Sequence, residues 1–375
     1  MIKHIFPEKD TTIYERWPEK NTGTDEILEL TKFTEGYPVE SNLEDEFFPT
    51  TYNSRILLSF DLSAISASIV SGKISSNFTA SLSVRATEAF TLPLSYNIKA
   101  YAISGSWANG TGFFGNSPDI TNGVSWKWRD GKLQGRLWET ASLSGNATSS
   151  VASSPHGGVW FTGSGYEVSQ SFSQELPDIR MNITPLVRTW LSGSIPNNGM
   201  ILKFPESSEN DTSVMGSIKF FSKESHTIFI PKLEFSWDDS EISGIGSFSQ
   251  VSDEDFVLYT KNLRESYRDG EITKIRFGVR DRYPTLTYAT SSDYLTSKRL
   301  PTSSYYSVVD HWTEEVIVPF SNGTKMSCDS NGNYFRIDMS SFMPERYYKF
   351  QVKSEFEGGD VSKISDDGFI FKVLR

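Results

Sequence analysis

The sequence predicts an all-β protein: a jelly-roll-like β-sandwich with one short helix, followed by a second, smaller immunoglobulin/fibronectin-like β-sandwich. Aromatic residues make up 14% of the 375 residues, and their side chains suit the half-buried surface of a sheet. Segments of strand length alternate with turns rich in Ser, Asn, Gly and Pro, as expected for a chain of short strands. At this length we expect two cores rather than one.

A change in composition separates the two predicted domains. The jelly-roll-like sandwich is expected over residues 1–240, and the Gly- and Ser-rich residues 241–250 form the predicted linker. The second sandwich is expected over residues 251–375. Within it, Tyr347 and Tyr348 follow a Pro turn at the start of a strand, which is the position of the tyrosine corner in immunoglobulin- and fibronectin-type domains.

The strands are predicted from short alternating or apolar stretches. In the first domain they are TTIYERW, EILELTKF, SRILLSFDLSAI, KISSNFTASLSVRAT, LSYNIKAYAIS, NNGMILKF, GSIKFFSKES and FIPKLEFSWDD. In the second domain they are FVLYTKNL, ITKIRFGVRD, EEVIVPFS, YFRIDMSSF, RYYKFQVKSEF and GFIFKVLR.

One helix is predicted over residues 177–193. Asn182 or Thr184 can cap its start, a Pro suits its first turn and a Gly follows its last. Its apolar face consists of Leu186, Val187, Trp190 and Leu191. Because burying a Trp and a Leu stabilises a fold by a few kcal/mol, we expect Trp190 and Leu191 to close one end of the sandwich, which is a structural role.

Residues 10–238 resemble the DNRLRE-type domain, a β-sandwich of surface, adhesive and carbohydrate-associated proteins. The resemblance rests on the order of the segments DTTIYE, NTGTDEILEL, SRILLSFDLSAI, SWANGTG, MNITPLVRTWLSGSIPNNGMILKF and FFSKESHTIFIPKLEFSW. Its markers are Arg55, Phe60-Asp61, Val187, Trp190, Asn198-Gly199 and Pro231-Lys232-Leu233. It implies surface display, glycan binding in some members, and structural roles for Arg55 and Asp61, with Arg55 pairing with a carboxylate at the sandwich end.

Charge and cysteine content narrow the possible functions. The formal net charge of −11 disfavours non-specific nucleic-acid binding, which needs clustered Lys and Arg. Cys328 is the single cysteine, so neither an intramolecular disulfide nor a Cys-based metal site can form. Adjacent Asp and Asn residues leave a structural calcium ion open, and we expect no other cofactor.

No catalytic motif emerges, and we expect no catalytic residue and no enzymatic activity. The four histidines His4, His156, His226 and His311 lie far apart, outside any metalloprotease spacing. Carboxylate groups such as Glu44-Asp45-Glu46 and Asp238-Asp239 could serve a glycosidase if two of them faced one cleft. A polysaccharide-degrading domain therefore stays as the second alternative.

An aromatic loop is the candidate binding region. Seven rings gather within a stretch rich in Gly, Ser and Asn: Trp107, Phe113, Phe114, Trp126, Trp128, Trp138 and Trp160. Exposed rings beside Asn and Asp can stack on sugars, and the same residue types dominate protein–protein interfaces. The third interpretation is that these rings fill the sandwich core.

A basic segment is the candidate interface. Residues 259–282 carry Lys261, Arg264, Arg268, Lys274, Arg276, Arg280 and Arg282. This patch could meet the acidic amino-terminal region of a neighbouring copy and form a homo-oligomer or ring. The alternative is a solvated strand face.

Together these features predict a non-enzymatic virion structural protein of a tailed bacteriophage, in the neck, tail, baseplate or a fibre. The amino-terminal residues MIKHIFPEKDTTIYE offer no apolar run for a signal peptide, and no stretch suits membrane insertion. We therefore expect synthesis in the host cytoplasm, location in the virion, and contacts with other virion proteins and a host-surface glycan. The first alternative is a carbohydrate-binding adhesin module that uses the aromatic loop.

Overall fold

The computed structural model of this chain has the predicted all-β class, with mostly antiparallel sheets and short helices. It describes residues 1–38, 47–138, 147–149, 156–173, 176–244, 248–252, 255–283, 298–356 and 360–375. The strands are β1 (Ile2–Ile5), β2 (Lys9–Tyr14), β3 (Ile27–Pro38), β4 (Phe47–Ser59), β5 (Phe78–Val84), β6 (Ala86–Phe90), β7 (Ser95–Ala102), β8 (Ala147–Ser149), β9 (Val159–Phe161), β10 (Glu167–Ser173), β11 (Ile179–Asn182), β12 (Met200–Lys203), β13 (Gly216–Phe221), β14 (Lys232–Trp237), β15 (Phe256–Thr260), β16 (Ser266–Arg268), β17 (Ile272–Asp281), β18 (Ser304–Asp310), β19 (Val316–Val318), β20 (Ser327–Asp329), β21 (Gly332–Asp338), β22 (Tyr347–Phe356) and β23 (Val361–Leu374).

The chain forms two compact units that are interleaved in sequence. The larger unit comprises Ile5–Ser66 and Ala80–Leu233, and the smaller unit comprises Met1–His4, Ala67–Thr79 and Glu234–Arg375. The long segment of the smaller unit begins close to the predicted linker. Nothing in the sequence indicates that Met1–His4 and Ala67–Thr79 join it.

An eight-stranded sheet organises the larger unit. Its order is β10-β7-β12-β4-β3-β13-β6, and β2 pairs with β4. Strand β12 lies between β4 and β7, so that Met200 faces Leu58 on one side and Ala102 on the other. All three residues are fully buried, which marks this central region of the sheet as part of the core.

Three helices lie among the described residues: α1 (Ser63–Val70), α2 (Thr184–Leu191) and α3 (Glu206–Asn210). The sequence predicts only α2. Helix α1 follows β4, and its first three residues fall within the segment SRILLSFDLSAI, which the sequence predicts to be a strand. The carboxylate of Asp61 accepts hydrogen bonds from the backbone N–H (2.8 Å) and the hydroxyl (2.9 Å) of Ser63. Asp61 therefore stabilises the start of α1.

Helix α2 is shorter than the predicted span of 177–193, because Ile179–Asn182 pairs with β5 as strand β11. The N-cap residue is Ile183, which makes no side-chain capping hydrogen bond, so the prediction that Asn182 or Thr184 caps the helix is wrong. The backbone N–H of Thr184 donates instead to Oδ1 of Asn182, just before the helix, at 3.0 Å. The buried residues of α2 are Thr184, Leu186, Val187 and Trp190, and Leu191 is half-buried. The apolar face thus packs into the larger unit, as its spacing predicts.

Two sheets form the sandwich of the smaller unit. Their orders are β15-β17-β21-β20 and β16-β23-β22-β18-β19. Phe335 of β21 stacks on Tyr306 of β18, with 3.9 Å between ring centroids, and lies 5.2 Å from Phe350 of β22. Phe277 of β17 meets Phe369 of β23 edge to face at 5.3 Å. Aromatic side chains therefore fill the space between the two sheets.

A tyrosine corner lies at the start of β22. The hydroxyl of the buried Tyr348 donates to the carbonyl oxygen of Met343, five residues upstream, at 2.9 Å. Its neighbour Tyr347 is exposed. Tyr348 is therefore the residue of the predicted pair that makes the corner.

The first residues of the chain belong to the smaller unit. The ammonium group of Met1 donates to the carbonyl oxygen of Trp237 (2.5 Å) and to the carboxylate of Asp239 (2.6 Å). The Lys3 ammonium donates to Asp338 at 2.7 Å. Burial lowers the pKa of the Met1 amine.

Candidate functional site

An open groove of about 670 Å³ lies in the larger unit. It combines aromatic rings with acidic side chains. The aromatic residues are Tyr14, Trp17, Phe33, Tyr52, Phe113 and Phe114; the acidic residues are Asp25, Glu26 and Glu29; the basic residues are Arg16 and Lys219. The site thus joins residues 14–33 and 52–53 with a loop almost a hundred residues away.

Three rings form one wall of the groove. The ring centroids of Trp17 and Phe114 are 5.2 Å apart in an edge-to-face arrangement, and Tyr14 lies 5.7 Å from Trp17 and 5.4 Å from Phe114. Contacts of this kind hold the rings in fixed orientations. Phe114 is 38% exposed, Phe113 is 48% exposed and Phe33 is 43% exposed. Apolar ring surface is therefore available to a ligand.

The buried side chain of Asn21 holds the loop that carries Phe113 and Phe114. Its Nδ2 donates to the carbonyl oxygens of Asn109 (2.7 Å) and Val124 (2.8 Å), and its Oδ1 accepts from the N–H of Gly112 (2.8 Å). A Cβ atom at position 112 would lie 2.2 Å from the carbonyl oxygen of Asn21. The close approach of the loop backbone to Asn21 therefore requires a glycine at position 112. This contact places the loop beside Trp17.

The acidic residues differ in their surroundings. Glu29 accepts hydrogen bonds from the hydroxyls of Tyr14 (3.1 Å) and Ser217 (2.9 Å). Asp25 accepts one from the backbone N–H of Phe114 at 3.2 Å. Burial raises the pKa of Asp25 to about 6, because desolvation disfavours the charged form more than the hydrogen bond favours it. Glu26 is exposed.

The cations of this region already contact other groups. The guanidinium carbon of Arg16 lies 5.0 Å from the ring centroid of Trp17. The Lys20 ammonium, just outside the groove lining, lies 4.8 Å from the ring centroid of Phe114 and forms an ion pair with Asp119 at 3.0 Å. Lys219 pairs with Glu88, also outside the lining, at 3.1 Å.

The seven predicted aromatic loop residues separate into two groups. Only Phe113 and Phe114 line the groove, and Trp128 is half-buried. Four are core residues, at most 5% exposed: Trp107, Trp126, Trp138 and Trp160. The expectation of a Trp binding surface is corrected for these four, because their rings pack with Leu57 and Ile201 of the sheet. The interpretation that most of the rings fill the core holds for them.

The carboxylate expected opposite Arg55 is that of Glu209 in α3. The guanidinium donates to both oxygens of Glu209, at 3.0 and 2.7 Å, and to the carbonyl oxygen of Gly157 at 2.6 Å. It also lies 4.5 Å from the ring centroid of Trp126. Lys203, which is fully buried, pairs with the same carboxylate at 2.6 Å. This buried ion cluster ties α3 to the sheet.

Three of the seven residues of the predicted basic patch form ion pairs within the smaller unit. Arg276 donates to both oxygens of Asp329, at 2.8 and 2.7 Å, and Lys274 pairs with the same carboxylate at 3.1 Å. Arg264 pairs with Glu271. The remaining members are Lys261 and Arg280, which donate to backbone carbonyl oxygens, and the exposed Arg268 and Arg282. The patch therefore offers a neighbouring copy less net charge than its sequence indicates.

The other candidate chemistry has no assembled site on the described residues. Glu44-Asp45-Glu46 lies outside them, and Asp239 pairs with the Met1 amine. Within the described ranges, no group of three or more His, Cys, Asp or Glu side chains lies where it could hold a metal ion, and no helix there is long and apolar enough to cross a membrane. Structural calcium stays a prediction.

Sequence reasoning missed most of the groove. Tyr14 and Trp17 lie in one predicted strand, Glu29 lies in the next, and Asn21 and Asp25 lie between the two. No local pattern marks them, since they become a site only when the loop of Phe113 and Phe114 packs against them. The one usable signal is the adjacent pair Phe113-Phe114 between glycines.

Comparisons with known proteins leave the family open. No family model matches the chain, and no curated protein does, so the resemblance to the DNRLRE-type domain stays a prediction. Among solved structures, a DUF4785 family protein from Legionella pneumophila is similar at 9% identity, with a TM-score of 0.19. That match covers 100% of this chain, and the chain spans 62% of the length of that protein. A likeness of this size supports no argument about fold or function.

Proposed function

We propose that this protein is a non-catalytic carbohydrate-binding protein and that the groove of the larger unit is its binding site. One observation carries the proposal: exposed rings and carboxylates line the same open groove. Apolar ring surface packs against the C–H faces of a sugar, while carboxylate oxygens accept hydrogen bonds from its hydroxyls. The proposal moves the predicted glycan site from the Trp residues of the loop to the groove.

The dimensions and rigidity of the groove agree with this role. A groove of about 670 Å³ is within the usual range for small-molecule sites and accommodates a few sugar rings. Asn21 fixes the loop, and the contacts of Trp17 with Tyr14 and Phe114 fix the rings. A site held in this way loses little conformational entropy when a ligand binds.

A glycan array with the full chain tests the proposal. We expect retention of one class of oligosaccharide by the wild type and loss of that retention by Trp17→Ala, with a moderate fall in melting temperature because Trp17 packs on Tyr14 and Phe114. The matched control is Trp312→Ala, since Trp312 is 76% exposed in the turn between β18 and β19 of the smaller unit. No binding to any glycan, or equal loss in both variants, would contradict the proposal.

The absence of catalysis is part of the same proposal and has its own test. Incubating the bound oligosaccharide with the protein and analysing the products by mass spectrometry should return the oligosaccharide intact. Cleavage that disappears in Asp25→Asn would instead establish the polysaccharide-degrading alternative, since a glycosidase needs a carboxyl group with a raised pKa as its general acid.

The location that we propose is the virion of a tailed bacteriophage, where a glycan-binding groove would hold the particle at a host surface. The support for this location comes from the sequence, which predicts tandem β-sandwiches, the first of a surface-display type. Quantitative mass spectrometry of density-purified particles should find the protein at a fixed ratio to the major capsid protein. Recovery only in a cell-envelope fraction would favour the adhesin.

A further inference from the structure

The charge of the groove points to the kind of glycan. Asp25, Glu26 and Glu29 all line it, and within the part of the chain that the structure describes none of the three carboxylates lies in a salt bridge. The two oxygens of Glu29 accept from neutral hydroxyl groups, and Asp25 accepts from a backbone amide. Three negative charges thus face the groove with only dipoles as direct partners.

The basic residues nearby compensate these charges only in part: the charge of Lys20 favours the ionised form of Asp25, but each of these cations also has another direct partner. Lys219 already pairs with Glu88, and Lys20 with Asp119. Arg16 lies over the rings of Trp17 and Tyr52, with its guanidinium carbon 5.0 and 6.0 Å from their centroids. The three carboxylates therefore outnumber the two cations of the lining, Arg16 and Lys219.

The aromatic rings also favour a positively charged ligand. A cation within about 6 Å of a ring centroid is attracted by the negative face of the ring. The protein's own Lys20 and Arg16 already make such contacts at Phe114 and Trp17. Phe33 and Phe113 keep large exposed surfaces in the same groove. Rings next to unpaired carboxylates are the arrangement that recognises an ammonium group.

We propose that the groove selects glycans that carry a positive charge, with unacetylated amino sugars as the ligand class. This inference rests on the proposed function and specifies its ligand. The ammonium group of a glucosamine unit would lie between Asp25, Glu26 and the ring of Phe113, while the pyranose ring packs against the aromatic wall. Acetylation removes the charge and converts the ammonium into a neutral amide, so N-acetylated oligomers bind more weakly.

The test is isothermal titration of the full chain with two hexamers that differ only in acetylation, β-1,4-linked glucosamine and β-1,4-linked N-acetylglucosamine. The pH is set just above the pKa of Asp25, about 6. We expect the glucosamine hexamer to bind roughly tenfold more tightly, as two or three weak charge contacts would give. Added salt should reduce this preference, because it screens the carboxylates.

Two substitutions and a control assign the effect to the groove. The double variant Asp25→Asn, Glu26→Gln keeps the shape and removes two charges, so it should lose the preference for glucosamine. The control Glu167→Gln removes a carboxylate of the larger unit that lies on β10, outside the groove lining; it should keep the preference. Equal binding of both hexamers by the wild type would overturn the inference and leave the proposed function standing. No binding of either hexamer, together with a negative glycan array, would overturn both.

Discussion

The buried ion cluster of the larger unit gives the sharpest stability prediction. The substitution is Glu209→Gln, which keeps the shape of the side chain and removes its charge. Glu209 is the shared partner of Arg55, at 3.0 and 2.7 Å, and of Lys203, at 2.6 Å. All three residues are at most 6% exposed. The variant therefore leaves two buried cations without an anion.

The expected loss follows from that geometry. Removing one partner of a buried ion pair costs about 3–5 kcal/mol, because the remaining charge stays desolvated. For a folding unit of this size, 1 kcal/mol corresponds to roughly 2–4 °C in melting temperature. We therefore expect Glu209→Gln to lower the melting temperature of the larger unit by about 6–20 °C.

Circular dichroism melts and urea denaturation measure this effect. The control is Glu206→Gln on the same helix, where the side chain is exposed and the change should stay within about 0.5 kcal/mol. Equal stability of the two variants would refute the reasoning. A pH series adds a second check, because burial lowers the pKa of Lys203 to about 8 from 10.5. The unfolded chain holds that proton more tightly, so wild-type stability should rise between these two values.

Three further predictions test the corner, the loop anchor and a buried acid. Tyr348→Phe should cost about 1 kcal/mol of smaller-unit stability in urea denaturation, through loss of the hydrogen bond to a main-chain carbonyl, whereas the exposed Tyr347→Phe should cost nothing measurable. Asn21→Ala removes three hydrogen bonds and should abolish glycan retention. Retention at wild-type strength would show that the loop of Phe113 and Phe114 keeps its conformation without Asn21. Burial raises the pKa of Asp10 from 3.8 to about 6, so the folded state binds its proton more tightly and the free energy of unfolding should fall as pH rises between these values. Asp10→Asn should make this pH dependence less steep, while the contribution of Asp25, whose pKa is also raised, should remain. An unchanged pH dependence in Asp10→Asn would contradict the prediction.

The sequence predicted those features of the fold that are encoded locally. The spacing of apolar residues located α2, and the Pro turn before β22 located the tyrosine corner. The wrong predictions also have local causes. Residues 179–182 carry a pattern that suits either a helix or a strand, and their pairing with β5 decides for the strand. Asp61 and Ser63 carry the start signal of α1, inside a run of apolar residues that resembles a strand.

Most of the candidate site could not be predicted from local sequence patterns. Composition shows how many rings the region of residues 104–165 contains, but it does not show which face the core. The structure buries Trp126 against Arg55 and leaves Phe113 exposed, and this outcome depends on contacts between segments far apart in sequence. Asn21 illustrates the difficulty, because its three partners lie about ninety to a hundred residues away.

The most direct test of the account is a crystal structure of the protein with the oligosaccharide that ranks highest on the glycan array. We expect sugar density in the groove of the larger unit, with a pyranose ring against Trp17 and Phe114 and a polar contact to Asp25 or Glu26. Density on Trp312 of the smaller unit, with an empty groove, would contradict it.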